Sequence, residues 1–455
     1  MAKNLEQRRI DADIAKLAIP SLGTLLAEPL LVAVDTTMVG RLGTAPLAGL
    51  SLAATILTTL VGICIFLSYA TTAATARYVG AGKPAVGMRY GLDGMWLALG
   101  LGAILALILE IFAPEIIALF QPEPAVAQQA IRYARASAPG LPGMLLILAA
   151  NGTLRGFADA RTPLVAATAG ALANIPLNAI LIYGCQLGIV GAGTGTAIAQ
   201  TGVGIFLTVV VVRRARKLAV PLRPSGSGVL RAVREAVPLI IRTLSLRGAI
   251  LLHITAATSL GTFALAANQI IMTVWNFAAY GLDSLATAAQ ILVGQGLGAQ
   301  NRERVRTVLR RCLIWGARVG IGLGVLVAAA APLISTLMVT DPPVRELATH
   351  TMWLVAVAFP LAAIAYMLDG VLIGAADTRA LAWYMIGALL AFTPVALFFT
   401  TAGADWGETG LLLLWAGYVF VFMGVRAGTM LWRIRGDRWM RLTQQQLTER
   451  SDDVR

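Results

Sequence analysis

Carboxylates set inside long apolar runs are the residues of this chain best placed to do chemistry. Glu28 and Asp35 lie seven residues apart in the first run. Seven residues make two helical turns, about 10.5 Å of rise, so both acids share one face. A carboxylate at the centre of a membrane span costs about 2.5–3.5 kcal/mol on insertion scales, so function is sought at such residues. An acid of this kind can take up and release a proton. Asp35 could instead cap the helix end or form a stabilising pair, and Glu28 could pair with an arginine. Pro29 follows Glu28 and interrupts the backbone ladder, so a bend is expected there.

Further polar residues fall where they could join Asp35. Asn174 and Asn178 stand one turn apart with Pro176 between them, Asn151 closes the fourth run, and Thr194, Thr196 and Gln200 open the sixth. Singly, each reads as glue between packed helices. Together with Asp35 they could form one hydrated cluster. A second group lies in the other half of the chain: Arg242, Arg247, His253, Asp283 and Asp369. For these, structural ion pairing and a transport role stand about even, and a lone histidine on an apolar face reads first as core.

Enzyme chemistry finds little footing. GAGKP at Gly80 departs from a phosphate loop, with Arg77 where glycine is needed and Pro84 after the lysine. Two histidines, His253 and His350, and three scattered cysteines, Cys64, Cys185 and Cys312, offer neither metal-ligand spacing nor a disulfide framework. No metal site and no cofactor are expected.

Composition names the elements that must position these residues. The chain has 455 residues, 58% of them hydrophobic and 13% charged, with a mean hydropathy of +0.76. Soluble domains carry about a quarter charged residues. The balance excludes a soluble enzyme, a disordered chain and a coiled coil, and argues against an outer-membrane barrel. Twelve apolar runs are expected to span, near 15–36, 47–72, 92–113, 132–152, 163–183, 189–212, 236–256, 264–289, 312–338, 348–369, 380–401 and 409–432. The polar start MAKNLEQRRIDADIAKLAIP carries no cleavable apolar segment.

The net charge of +13 reads as topology, not as nucleic-acid binding. Arg77, Lys83 and Arg89, then Arg155 and Arg161, the run Arg213 to Arg234, Arg302 to Arg311, and Arg433 to Arg441 are read as alternate loops. Glu115 and Glu123, Asp341 and Glu346, and Asp405 and Glu408 mark the opposite side. Positive residues stay inside, so both termini are expected in the cytoplasm.

The two halves repeat. Pro20 aligns with Pro238, Leu42-Gly43-Thr44 with Leu260-Gly261-Thr262, Gly152 and Asp159 with Gly370 and Asp377, and Pro176 with Pro394, all at an offset of 218. VGAG at Val79 also resembles VGQG at Val293, at an offset of 214. Six spans per half give a parallel repeat about an axis along the membrane normal, a design suited to alternating access. The expected organisation is an N-terminal lobe over 1–213, a cytoplasmic linker over 214–229, a C-terminal lobe over 230–432 and a cytoplasmic tail over 433–455.

The blocks EPLLVAVDTTMVGRLG, NGTLRGFADARTP, RTLSLRG and LDGVLIGAADTR resemble multidrug and toxic compound extrusion (MATE) transporters, the DinF-like branch in particular. The resemblance covers nearly the whole chain. It implies an all-α polytopic membrane protein, with twelve helices in two pseudo-symmetric six-helix lobes around a central cavity. It also implies antiport of a substrate against protons or sodium. Related proteins carry a cation site in the first lobe, onto which Asp35, Asn151, Asn174 and Thr196 map. Asn178 stands where those relatives have a second aspartate, which makes sodium coordination less favourable.

The resulting expectation is efflux of organic, cationic or amphipathic compounds across the plasma membrane in exchange for protons, with Pro29 and Pro176 as helix-bending points. The expected partners are a small-molecule substrate and the lipid bilayer, not nucleic acid, around a monomer. Alternatives are sodium coupling, export of an organic anion or metabolite, flipping of a lipid-linked precursor, and a non-transporting membrane protein.

Overall fold

The computed structural model describes residues 2–402 and 406–440. Asp405, Arg441 and the rest of the expected tail lie outside the described residues. Of the described chain about 90% is helical and none is strand. Twelve helical rods follow one another. α1 is Ala2–Gly40. α2 is Thr44–Ile63 and Phe66–Gly80, interrupted at Cys64 and Ile65. α3 is Pro84–Ala118. α4 joins Pro124–Ser137, a tight turn Ala138–Gly140 and Leu141–Gly156. α5 is Arg161–Ala179 with a wide π turn, Ile180–Gly184, just after Pro176. α6 is Ile189–Lys217, α7 Gly226–Ser259, α8 Thr262–Gly298, α9 Arg302–Met338, α10 Pro342–Gly374 and α11 Thr378–Ala402. α12 joins Gly407–Ala416, a π turn Gly417–Phe422 and Met423–Arg435.

Local chemistry sets many of these limits. Proline opens α3, α4 and α10, where its missing N–H costs nothing. The Asn301 side chain caps α9 by accepting from the Arg304 amide at 2.9 Å. Gly43 and Gly261 turn the chain into α2 and α8 at φ 125° and 101°, a region that favours glycine.

Ten of the rods are long and apolar enough to cross a membrane. The other two are α4, broken at 138–140, and α8, whose apolar run is interrupted by Asn268, Gln269, Asn276 and Asp283. The helices outrun the apolar stretches. α3 has 35 residues and is about 52 Å long, against a hydrocarbon core of about 30 Å. Much of the charge expected in loops therefore sits on helix ends. Arg89 is in α3, Arg213 to Lys217 close α6, Arg231 and Arg234 open α7, Arg302 to Arg311 open α9, and Arg433 and Arg435 close α12. Apolar runs mark only the part of a helix that lipid covers. For the same reason the connection expected over 214–229 shrinks to Leu218–Ser225.

The described chain forms two compact units, one of residues 19–236 and one of residues 1–18 with 237–455. The division falls inside α1 after Ala18 and inside α7 after Ala236, in each case just before a proline, Pro20 or Pro238.

The repeat reaches the backbone. Gly43 pairs with Gly261, Gly82 with Gln300 and Ala158 with Ala376 as positive-φ residues, each pair 218 apart. The Gly82–Gln300 pair corrects the VGAG–VGQG match, which is out of register by four residues. Tertiary contacts repeat as well. Arg214 pairs with Asp159 at 2.9 Å in the first unit, and Arg433 with Asp377 at 2.6 Å in the second.

The short connection into α7 is docked on one face of α3. Arg89 donates to the Pro221 carbonyl at 2.6 Å, and the Trp96 indole donates to the Leu222 carbonyl at 2.9 Å. The Ser225 amide donates to Asp93 at 3.1 Å, and the Tyr90 hydroxyl donates to Glu235 at 2.6 Å. In the other unit Asp11 of α1 is held by Arg311 and by the Trp315 indole, both of α9.

Candidate functional site

Three helices of the 19–236 unit bring a polar cluster together. α1 supplies Asp35, α5 supplies Asn174 and Asn178, and α6 supplies Thr196. The Asn178 amide donates to Asp35 Oδ1 at 2.7 Å and to Asn174 Oδ1 at 2.9 Å. The Thr196 hydroxyl donates to Asp35 Oδ2 at 3.4 Å. The one-turn spacing of Asn174 and Asn178 lets one amide bridge to the other and on to the acid. Gly195 makes the room, because a Cβ there would collide with Asn178 Oδ1.

Asp35 is buried, 4% exposed, and its bonds come only from neutral donors. Two polar atoms of the cluster lack hydrogen-bond partners, Asn174 Nδ2 and Asn178 Oδ1, and so does Asn151 Oδ1 of α4. Asn151 is buried in α4 and makes no hydrogen bond to Asp35. Here the structure departs from the expected cluster. Asp35 opens onto a cavity of about 300 Å³, lined on α2 by the hydroxyls of Ser51, Thr55 and Thr58 and on α4 by Tyr133. Sequence reading missed these α2 hydroxyls. Their signal was a run of serine and threonine at positions 51, 55 and 58, on one helical face.

Glu28 belongs to the same unit and is exposed, while α1 continues helical through Pro29. Pro176 lies inside α5, four residues before the π turn.

The residues grouped in the second half do not form one cluster. Asp369 of α10 accepts from Arg242 of α7 through both carboxylate oxygens, and from Arg426 of α12 at 2.8 Å. The Arg426 guanidinium also lies 4.9 Å from the Tyr366 ring centre. Asp283 adds its charge near the same Tyr366 hydroxyl. Asp369 and its two guanidiniums thus form a buried network. Arg426 was not anticipated, although an arginine inside the run FVFMGVRAGTM is a visible anomaly.

His253 stands elsewhere, at the repeat position of Asp35. Its Nε2 meets Asn268 Oδ1 at 3.0 Å, and the Trp415 indole donates to the same oxygen at 2.9 Å. Its ring packs against Trp415, Tyr418 and Phe392, with centroids 4.6, 5.2 and 6.3 Å away. The C-terminal counterpart of the acid pocket is an aromatic core. Arg247 is apart from both groups and exposed.

A family model described as MatE matches residues 20–180 and again 238–398, the same offset that the repeat shows. The chain is 29% identical over 447 residues to Protein DETOXIFICATION 44, chloroplastic, of Arabidopsis thaliana, covering 94% of this chain and 82% of that protein. It is 28% identical to DNA damage-inducible protein F of Escherichia coli strain K12, covering 93% and 92%. A crystal structure of MATE in the bent conformation superposes with a TM-score of 0.86 at 20% identity, covering 97% and 98%. The structure of a MOP superfamily transporter from Pyrococcus furiosus superposes with a TM-score of 0.83, also at 20% identity.

Proposed function

Because the chain belongs to the MatE family of multidrug efflux transporters, and so is a multi-pass membrane transporter and not an enzyme, we propose that it is a proton-driven antiporter with Asp35 as its proton acceptor. One observation carries the reading. Asp35 is a buried acid within a membrane helix, beside a cavity, with no cationic partner among the described residues. An acid held only for stability would be paired, as Asp369 is.

The geometry supplies a mechanism. Ionised, Asp35 accepts from Asn178 and Thr196. Protonated, it loses its charge and its hold on the Asn178 amide weakens. Because Asn178 also reaches Asn174, this change passes to α5 next to its π turn. π turns are rare in helices and fall frequently at functional sites. Proton entry thus shifts the packing of α1, α5 and α6, and substrate leaves as the proton arrives. A membrane potential supplies about 2.3 kcal/mol per charge per 100 mV, and one pH unit adds about 1.4 kcal/mol. For an uncharged substrate, tight coupling to one proton then sustains a gradient of about a hundredfold or more; for a monovalent cation the exchange moves no net charge and the pH difference alone drives it, about tenfold per unit. The exported compounds are organic and amphipathic, cations among them. The protein works as a monomer in the plasma membrane with both termini in the cytoplasm.

A second reading has its own observation. The Asn151 and Asn178 carbonyl oxygens are buried without partners, and such oxygens suit a hard cation such as sodium.

The test is uptake into proteoliposomes of a fluorescent organic cation and a matched organic anion, under an imposed pH gradient, with and without sodium. Wild type is expected to accumulate at least one probe without sodium, and Asp35→Asn to lose at least tenfold. Full gradient-driven uptake by Asp35→Asn would overturn the assignment. Uptake that follows sodium without a pH gradient would favour the second reading.

A further inference from the structure

The second unit exposes its own polar helix face, and its chemistry differs from that of the acid pocket. α8 carries Gln269, Thr273 and Asn276 at spacings of four and three residues, one above another on one helical face. Gln269 and Asn276 are exposed and Thr273 is half-buried. The Thr273 hydroxyl is occupied by the Gln269 carbonyl at 2.9 Å, whereas the two side-chain amides bond nothing among the described residues. These positions are the repeats, 218 residues on, of Ser51, Thr55 and Thr58, the hydroxyls that line the Asp35 cavity. The repeat has thus kept a polar face at this place in both halves and changed two of its three hydroxyls to amides.

α7 contributes a charge at the same depth. His253 of α7 meets Asn268 of α8, which sets the two antiparallel helices in register. Six residues from His253 along α7 comes Arg247. Six residues from Asn268 along α8 comes Val274, between Thr273 and Asn276. Equal rise per residue keeps these positions level. Arg247 is exposed and pairs with no acid among the described residues. Leu244 and Leu251, 49% and 64% exposed, flank it on its own helix face. A guanidinium and two free amides are not left against lipid tails at mid-span, so this surface faces water.

We infer that Arg247, Gln269 and Asn276 form a substrate-recognition face that binds the anionic oxygen group of an organic substrate. The chemistry is that of a donor set. Arg247 offers a rigid fork of N–H groups that suits a carboxylate or a phosphate, and each amide adds N–H donors and one carbonyl acceptor. The acid next on this helical face, Asp283, is already engaged near Tyr366. The inference rests on the transport reading and narrows it. The preferred substrates are amphipathic with an acidic end, zwitterions included, and proton coupling and substrate recognition sit in different units.

Two measurements test it on the full-length protein. The first replaces Cys64, Cys185 and Cys312 by serine and then places single cysteines by Arg247→Cys, Gln269→Cys and Asn276→Cys. A membrane-impermeant anionic thiol reagent is expected to label all three in proteoliposomes at least tenfold faster than Val325→Cys on the apolar surface of α9. No labelling above that control would overturn the inference. The second measures binding to the solubilised protein by fluorescence polarisation. The probes are a xanthene dye with a free carboxylate, its ethyl-ester cation, and a phosphate-bearing analogue. The free acid or the phosphate is expected to bind at least tenfold better than the ester, and the better of the two names the source of the anionic group. Arg247→Gln is expected to remove that preference, and Arg247→Lys to restore part of it. An unchanged preference in Arg247→Gln, or a wild-type preference for the ester, would overturn the inference. Failure of proton coupling at Asp35 would leave these binding results unmoved, so the two readings fail separately.

Discussion

At the scale of single residues, two of the buried aspartates, Asp369 and Asp35, are treated in opposite ways. Asp369 holds two guanidiniums, and Asp35 holds two neutral donors. Removing one partner of a buried ion pair leaves charge uncompensated and costs about 3–5 kcal/mol. Asp369→Asn strands Arg242 and Arg426, so it is expected to lower stability by about that amount. Asp35→Asn strands no charge and keeps nearly the same shape, so its stability should stay within about 1 kcal/mol of wild type. Thermal unfolding of the two purified variants checks this. Equal losses would mean that Asp35 is also part of a structural pair, which would remove the ground for reading it as a proton acceptor.

At the scale of elements, the connection between the halves is where sequence and structure differ most. RRARKLAVPLRPSGSG reads as a solvated linker, yet half of it is helix and the rest is bonded to α3. Asp93 is the centre of that docking. Its carboxylate takes the Ser225 amide, while the Ser225 hydroxyl accepts from the Gly228 amide at 3.3 Å inside the first turn of α7. A carboxylate at a helix start also favours the helix dipole. Gly228 suits this contact, since a Cβ there would push the Asp93 carboxylate aside. A hydrogen bond to a charged group contributes about 1.5–3 kcal/mol, which is about a tenfold to hundredfold change in local opening. Asp93→Ala is therefore expected to speed tryptic cleavage at Lys217 by at least tenfold, with Arg302 as the reference site. An unchanged cleavage rate would show that the docking does not hold the segment. None of this was legible beforehand, because Asp93 and Ser225 are 132 residues apart and no local pattern joins them. The long helices were legible, because lipid demands a long apolar run. So was the link from Asp35 to Asn178 and Thr196, because acids and amides inside such runs are rare and fall on shared faces. Asn151 was drawn into that cluster by its position and by the family resemblance, and neither says which neighbour a side chain meets.

At the scale of the whole molecule, the repeat predicts behaviour as well as shape. Gly152 of α4 packs so tightly on α2 that a Cβ would lie 2.5 Å from the Ser68 carbonyl. Gly370 of α10 meets the Ala286 carbonyl of α8 closer still. Both the glycines and the carbonyls are 218 apart, so a single close helix crossing has been kept twice. The reason is steric. Only a residue without a Cβ lets the two backbones approach this far, a device common where membrane helices pack. Overfilling a packed site costs about 1–3 kcal/mol. Gly152→Ala and Gly370→Ala are each expected to cost that much, which for units of this size is roughly 2–12 °C in melting temperature. The two sites lie in different units and share no partner, so the double variant should lose the sum of the single losses to within about 0.5 kcal/mol. Thermal denaturation of the solubilised single and double variants measures this directly. A tolerated Gly152→Ala beside a damaging Gly370→Ala would mean that the crossing carries stability in one half only. A double variant that lost much more than the sum would mean that the halves do not respond as independent copies of one fold.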